Sequence, residues 1–200
     1  MKDLICKINK LKNQEVKLLI HKRLQEFKEL GGKCNHKLFI ELCFCLMTAN
    51  YDAAKAIKIQ EIIGNGFLTL TQPSLAEKLK ELGYRYPNKR SEYIVEARKI
   101  LKILKSNPDR PWLVENVKGL GFKEASHFLR NIGYDDYAII DFHIVNILVE
   151  NKLIEKPKSV NKKNYVEIEN VLKELGKKVN LNMAELDLYL WYLETNKILK

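Results

Sequence analysis

The richest source of chemistry in the chain is the run Val117-Lys118-Gly119-Leu120-Gly121-Phe122-Lys123-Glu124-Ala125-Ser126-His127-Phe128-Leu129. A G-x-G between two short apolar-periodic segments predicts a tight turn between helices, because glycine accepts backbone angles closed to other residues. The second helix then begins with free N–H groups pointing outward, a ready site for a phosphate oxygen. An ordinary glycine turn has the same spelling, so the spacing alone carries no function. Lys123 opens that second helix, and Asp141 follows eighteen positions later in Tyr137-Ala138-Ile139-Ile140-Asp141-Phe142-His143. A neutral lysine amine is a nucleophile suited to Schiff-base chemistry. Burial in a cleft and nearby positive charge both favour the neutral form. A carboxylate such as Asp141 would stabilise developing positive charge and orient or deprotonate the amine, with Glu124 its nearest rival. Each residue also has a plain structural role. Lys123 would be a surface lysine at a helix start, where the dipole disfavours it. Asp141 would be an N-cap before Phe142, which is compatible with catalysis because backbone N–H groups hold a carboxylate in place and ionised.

The elements around these residues read as helical nearly throughout. Leu4, Ile8 and Leu11, then Leu18, Leu19, Leu24 and Phe27, suit one face of a first helical segment that Gly31 and Gly32 end. An apolar helix from about His36 to Thr48 is too short for a membrane and suits the centre of a core. Asn50 to Ile63 gives a third. Thr71 or Ser74 caps the next, with Pro73 in its first turn and Gly83 at its end. After the aromatic turn Tyr84-Arg85-Tyr86-Pro87-Asn88, residues 89–105 place Ile94, Ala97, Leu101 and Leu104 on one face, until Pro108 and Pro111 break the chain. Later helices are expected at Pro111–Val117, Lys123–Asn131, His143–Asn151, Lys162–Lys178 and Met183–Thr195. No run alternates like a strand. The expected fold is all-α with about ten short helices, and the lysine-rich stretch 152–163 with Pro157 is the expected internal connection.

Composition narrows the function classes. Two hundred residues can bury roughly 70% of the surface of the unfolded chain, enough for one core or two small lobes. With 35 Lys and Arg against 25 Asp and Glu, the formal charge is +10. That favours a polyanionic partner such as nucleic acid, although a lysine-rich composition also accompanies a biased genome or a thermophilic habit. Cys6, Cys34, Cys43 and Cys45 all fall in the first quarter and read as reduced thiols. The N-terminus lacks the apolar run of a signal peptide and no stretch approaches a membrane span. A soluble, intracellular protein with no membrane partner is therefore expected.

The hairpin is the pattern of a helix-hairpin-helix motif, which grips the DNA backbone without reading sequence. Together with Lys123 and the apolar-Asp-x-His segment, it resembles the helix-hairpin-helix DNA glycosylase superfamily. The block GFKEASHFLRNIGY and the C-terminal LYLWYLETNKILK are most similar to the archaeal-type 8-oxoguanine DNA glycosylase and AP lyase family. The likeness covers most of the chain and is densest across 117–146 and 183–200. It implies a single catalytic unit over 1–200 in two lobes, one approximately 1–32 plus 145–200, the other approximately 33–144 with the hairpin at 111–131. The active site is expected in the cleft between them. By the same resemblance Lys123 attacks C1′ and Asp141 assists, so that 8-oxoguanine is excised and the abasic site is nicked by β-elimination.

An enzyme of this kind flips its target base and needs stacking surfaces, edge-reading groups and a plug for the gap. Trp191 is the candidate stacking ring, although Leu188, Trp191 and Tyr192 also have core spacing. The resemblance implies that the carboxylate of Lys200 accepts the N7–H that only the oxidised guanine carries. Tyr86, rather than Tyr84, is the candidate second ring. Asn50 is the candidate plug or else a helix cap. His143 contacts a phosphate or supports Asp141, and His127 lines the pocket or packs. Gly119 and Gly121 bind the DNA backbone. No Cys follows Cys45, which excludes the C-terminal four-cysteine cluster of many superfamily members, and Cys43-x-Cys45 lacks partners at zinc spacing. No metal ligands and no organic cofactor are expected, beyond a monovalent cation at the carbonyls of Glu115, Val117 and Leu120. The expected partner is duplex DNA bearing 8-oxoguanine or abasic sites, bound by a monomer in the cytoplasm at the nucleoid. Two other classes compete: a non-catalytic helix-hairpin-helix DNA-binding module, and a same-fold glycosylase for another lesion such as an oxidised pyrimidine.

Overall fold

The computed structural model describes residues 1–106 and 109–200; Pro108, an expected chain breaker, lies outside the described residues. Among those described there are twelve α-helices and no strand. They are α1 (Lys2–Leu11), α2 (Val16–Gly31), α3 (Asn35–Thr48), α4 (Ala53–Ile63), α5 (Gly66–Thr69), α6 (Gln72–Glu81), α7 (Pro87–Ala97), α8 (Arg110–Asn116), α9 (Phe122–Asn131), α10 (Phe142–Glu150), α11 (Lys162–Val179) and α12 (Met183–Thr195). No described helix is long and apolar enough to cross a membrane.

The helix count exceeds the expected ten for local reasons. The first segment is two helices, because the polar run at 12–15 turns the chain. Within α2 the buried stripe is Val16, Ile20 and Phe27, while Leu18 and Leu19 are 69% and 55% exposed. The face assigned from sequence was therefore rotated. α5 is a single turn, too short to leave a period. α7 stops at Ala97 instead of running to Lys105. Its continuation tightens into a 3-10 turn at Arg98–Ile100, where the Arg98 guanidinium donates to the carbonyls of Phe67 (2.9 Å) and Leu70 (2.7 Å).

The chain divides into two units. One comprises Met1–Glu29, Leu129–Ile198 and Lys200; the other comprises Leu30–Phe128 and Leu199. The second boundary falls at 128/129 rather than at the expected 144/145, because residues 129–144 are tied to α11 and α12. The Ala138 N–H donates to Glu169 (3.0 Å), the Ile140 N–H donates to the Tyr165 hydroxyl (3.2 Å), and the Met183 N–H donates to the Asp135 carbonyl (2.9 Å).

In the second unit, α3 is apolar almost all round and runs through the core. Leu38, Phe39, Leu42, Cys43, Phe44, Cys45, Leu46 and Met47 are all buried, packed against α4, α5 and α7. From Leu38 onward the helix has almost no solvent face and forms because its neighbours cover it. α6 packs on α7 after a Thr71 cap whose hydroxyl accepts the Ser74 N–H.

In the first unit, α1, α11 and α12 pack together and α10 lies on α12. The Asn182–Glu185 capping box starts α12. The chain passes directly from α11 to α12 because Gly176 lets Met183 and Leu181 close on its Cα; a Cβ there would meet Met183 Cε at 2.6 Å. Arg130, in the last turn of α9, is buried. It pairs with Asp187 of α12, donates to Asn131 Oδ1 through Nε (3.1 Å) and Nη2 (2.8 Å), and lies 4.9 Å from the Phe27 ring centroid. The Arg130 and Asp187 side chains are only 5% and 11% exposed, so losing one partner leaves a charge in low dielectric. We expect Asp187→Ala to lower the unfolding free energy by about 3–5 kcal/mol, read from denaturant melts of the two proteins.

Candidate active site

Hairpin geometry follows from the two glycines, which act differently. Gly119 has φ +81°, the left-handed region, and a Cβ there would lie 2.2 Å from the Tyr93 ring. Gly121 does not share that conformation; a Cβ there would meet Glu124 Oε2 at 3.2 Å. Only the first glycine is thus required by its backbone angle. Both are exposed, as is Lys118 beside them.

The hairpin arms are laced together beneath this tip. Asp109 caps α8 by accepting the Trp112 N–H (3.0 Å). Arg110 donates to the Ser126 hydroxyl (3.2 Å) and lies 4.9 Å from the Phe122 ring centroid, and the Ser126 hydroxyl donates to the Phe122 carbonyl (2.8 Å).

Lys123 is the second residue of α9. Its side chain is 27% exposed, with Nζ 3.5 Å from Glu124 Oε1. Glu124 therefore pairs with the lysine and stands beside the hairpin glycine, at a helix start where a carboxylate is favoured. His127, one turn further, is buried with its ring edge-on to Phe44 at 5.4 Å. In the same unit Tyr84 is buried, its hydroxyl donating to the Met47 carbonyl (2.8 Å) and accepting from Arg90 Nε (3.0 Å). Tyr86 is 38% exposed with the Arg85 guanidinium over its ring, so of the two tyrosines it is the more accessible. Asn50 is exposed with φ +57°, just after α3, while Asp52 rather than Asn50 caps α4.

The other unit holds Asp141, His143, Trp191 and Lys200. Asp141 is the N-cap of α10, its Oδ1 accepting the Ile144 N–H at 3.0 Å. The strap leading to it is fixed from α11: Tyr165 donates to the Ala138 carbonyl (2.7 Å) while accepting from Ile140, and Glu169 accepts from Ala138. Next to Asp141, Phe142 is 67% exposed and lies on the His143 ring at 3.8 Å. The same imidazole meets Trp191 edge-on at 5.1 Å, and its Nδ1 is 3.4 Å from Glu194. Trp191 is partly exposed, but its indole N–H is buried and has no hydrogen-bond acceptor among the described residues. Lys200 is partly buried.

A family model for 8-oxoguanine DNA glycosylase matches residues 20–181. The chain belongs to the 8-oxoguanine DNA glycosylase family. Among curated members, it is 54% identical to the 8-oxoguanine DNA glycosylase/AP lyase of Methanocaldococcus jannaschii, over 98% of this chain and 99% of that one. It is 48% identical to the enzyme of the same description from Korarchaeum cryptofilum, over 99% and 98%. The crystal structure of the M. jannaschii 8-oxoguanine glycosylase/lyase in complex with a 15-mer DNA containing 8-oxoguanine superposes with TM-score 0.95, covering 98% of this chain and 99% of that one. The Thermotoga maritima 8-oxoguanine DNA glycosylase superposes with TM-score 0.94 at 43% identity, over 100% and 99%. The all-α helix-hairpin-helix glycosylase fold expected from the sequence is the fold of these relatives.

Several residues that hold the elements carrying the candidate residues escaped sequence reasoning. Tyr93 seats the hairpin, Arg110 and Ser126 join its arms, and Tyr165 and Glu169 fix the strap before Asp141. Each acts across 16 or more residues of sequence. The available signal was a polar residue breaking an apolar helix face, as Glu169 does beside Ile168 in α11.

Proposed function

We propose that this protein is a bifunctional 8-oxoguanine DNA glycosylase and AP lyase acting on duplex DNA. What supports this reading above all is full-length 54% identity to a glycosylase/lyase whose crystal structure holds 8-oxoguanine DNA. The hairpin, Lys123 and Asp141 give that likeness a chemistry.

The Lys123 Nζ lone pair attacks C1′ as the C1′–N9 bond breaks, and the departing base takes up a proton. Loss of a proton from nitrogen with opening of the sugar gives the imine. Abstraction of a C2′ proton then expels the 3′-phosphate, and water releases the lysine. Asp141, fixed as a helix cap, stabilises positive charge at the sugar and orients the amine. Backbone N–H groups at Gly119 and Gly121 hold a phosphate. Trp191 and Tyr86 stack on the extruded base, with His127 lining the pocket, His143 towards a phosphate and Asn50 filling the gap in the duplex. The Lys200 carboxylate accepts the lesion's N7–H.

The carbonyls of Glu115, Val117 and Leu120 suit a monovalent cation. All three are neutral hard oxygens at the turn, and the Val117 oxygen, which accepts the Leu120 N–H at 3.1 Å, keeps a second lone pair. Bound there, the cation would supply positive charge towards the phosphate. We place the protein in the cytoplasm at the nucleoid, as a monomer.

Borohydride trapping tests the reading. Intact protein should give a covalent complex on an 8-oxoguanine duplex and none on the undamaged duplex; absence of a trapped species overturns it. Removing Lys200 should depress 8-oxoguanine excision by about 10-fold or more, as for loss of a hydrogen bond to the distinguishing atom, while cleavage at pre-formed abasic sites persists. Undiminished excision would place the lesion reader elsewhere.

A further inference from the structure

We infer that Tyr93 is a positioning residue for DNA binding, the seat that sets where the hairpin presents its backbone. The inference rests on the proposed DNA-binding role of Gly119 and Gly121. Lys89, Glu92, Tyr93 and Glu96 share one face of α7 by their i, i+3, i+4, i+7 spacing. That face meets the hairpin tip twice. The Tyr93 ring lies so close to Gly119 that a Cβ would stand 2.2 Å from Cδ2 and 2.3 Å from Cε2. One residue earlier, Lys118 Nζ is 2.8 Å from Glu92 and 3.6 Å from Glu96, and 5.7 Å from the Tyr93 ring centroid.

The ring also has Lys89 Nζ at 5.2 Å and the Arg90 guanidinium at 5.8 Å. These cations lie over the ring, while its Cδ2 and Cε2 stand against the glycine. The Glu92 hydrogen bond raises the Lys118 pKa, with the fields of Glu92 and Glu96 adding to it, and the same bond lowers that of Glu92. The pairs involving Lys118 are exposed and individually weak. The aromatic contact is what fixes the turn, because a left-handed glycine beside an exposed tip has many alternatives when nothing rests against it. A phosphate bound by successive N–H groups needs those groups already aligned, so a loosened seat costs affinity rather than chemistry.

The test compares Tyr93→Ala and Tyr93→Phe with the unaltered protein. Binding is measured by fluorescence anisotropy on a duplex carrying an uncleavable tetrahydrofuran site, and excision by single-turnover kinetics at saturating protein. Tyr93→Ala should raise Kd about 10-fold, equivalent to about 1.4 kcal/mol, with the saturating excision rate changed less than about 3-fold. Tyr93→Phe, which keeps the ring, should restore the unaltered Kd. Gly119→Ala should weaken binding strongly when Tyr93 is present and less in the Tyr93→Ala background, where the clashing ring is gone. If Tyr93→Ala fails to fold by circular dichroism, Tyr93→Leu takes its place, keeping apolar bulk without the flat ring. An unchanged Kd, a Phe variant as weak as Ala, or a loss confined to the saturating rate overturns the inference. Failure of the unaltered protein to bind the duplex would instead overturn the proposed function.

Discussion

Lys123→Gln should leave a folded protein that gives no borohydride-trapped complex and excises 8-oxoguanine slower by about 10⁴-fold or more, the scale on which loss of a nucleophile is felt. The substitution is structurally mild. The side chain is 27% exposed and its ion pair is with the adjacent Glu124, at 3.5 Å. A cation in the first turn of a helix opposes the dipole, so the neutral amide should change stability by no more than about 0.5 kcal/mol. Thermal melts and duplex binding should therefore match the unaltered protein while the chemistry vanishes. Undiminished trapping would move the nucleophile to another amine.

Asp141 separates structure from chemistry even more cleanly, because asparagine caps a helix about as well as aspartate. The Asp141 Oδ1 accepts the Ile144 N–H at 3.0 Å, and an amide oxygen can take the same bond. Asp141→Asn should thus melt like the unaltered protein but lose about 10²–10⁴-fold in single-turnover excision, the range for a positioned acid or base. Asp141→Ala should lose the activity and, in addition, about 1 kcal/mol of stability with the cap. If the asparagine variant were fully active, Asp141 would be a cap and nothing more. Glu124→Gln settles the rivalry between carboxylates: a deficit as deep as that of Asp141→Asn would transfer the partner role to Glu124.

What the sequence made legible was mostly local. α3, α6, α10, α11 and α12 start at or within a residue of their expected positions because their caps and apolar periods lie within a few residues of one another. Lys123 and Asp141 stand in short motifs readable in the same way, Lys123 in the first turn of α9 and Asp141 as the cap of α10. The polar turn at 12–15 was missed because it holds no glycine or proline. Leu18 and Leu19 were misassigned because three closely spaced leucines and a phenylalanine outweighed the narrower stripe of Val16, Ile20 and Phe27. The supports of the site were illegible on different grounds. Tyr93 reaches Gly119 from 26 positions away, and Glu169 reaches Ala138 from 31. Neither contact leaves a periodicity, since each satisfies one backbone position rather than a face.

The burial of α3 bears on the conditions in which such an enzyme works. Its lesion arises where oxidants are abundant, and the species of cysteine that peroxide attacks is the thiolate. Cys43 lies at the centre of the core with no exposed surface, and burial pushes its thiol well above the ordinary value. Buried and kept protonated, the Cys43 thiol is a poor target for the oxidants that create work for the protein.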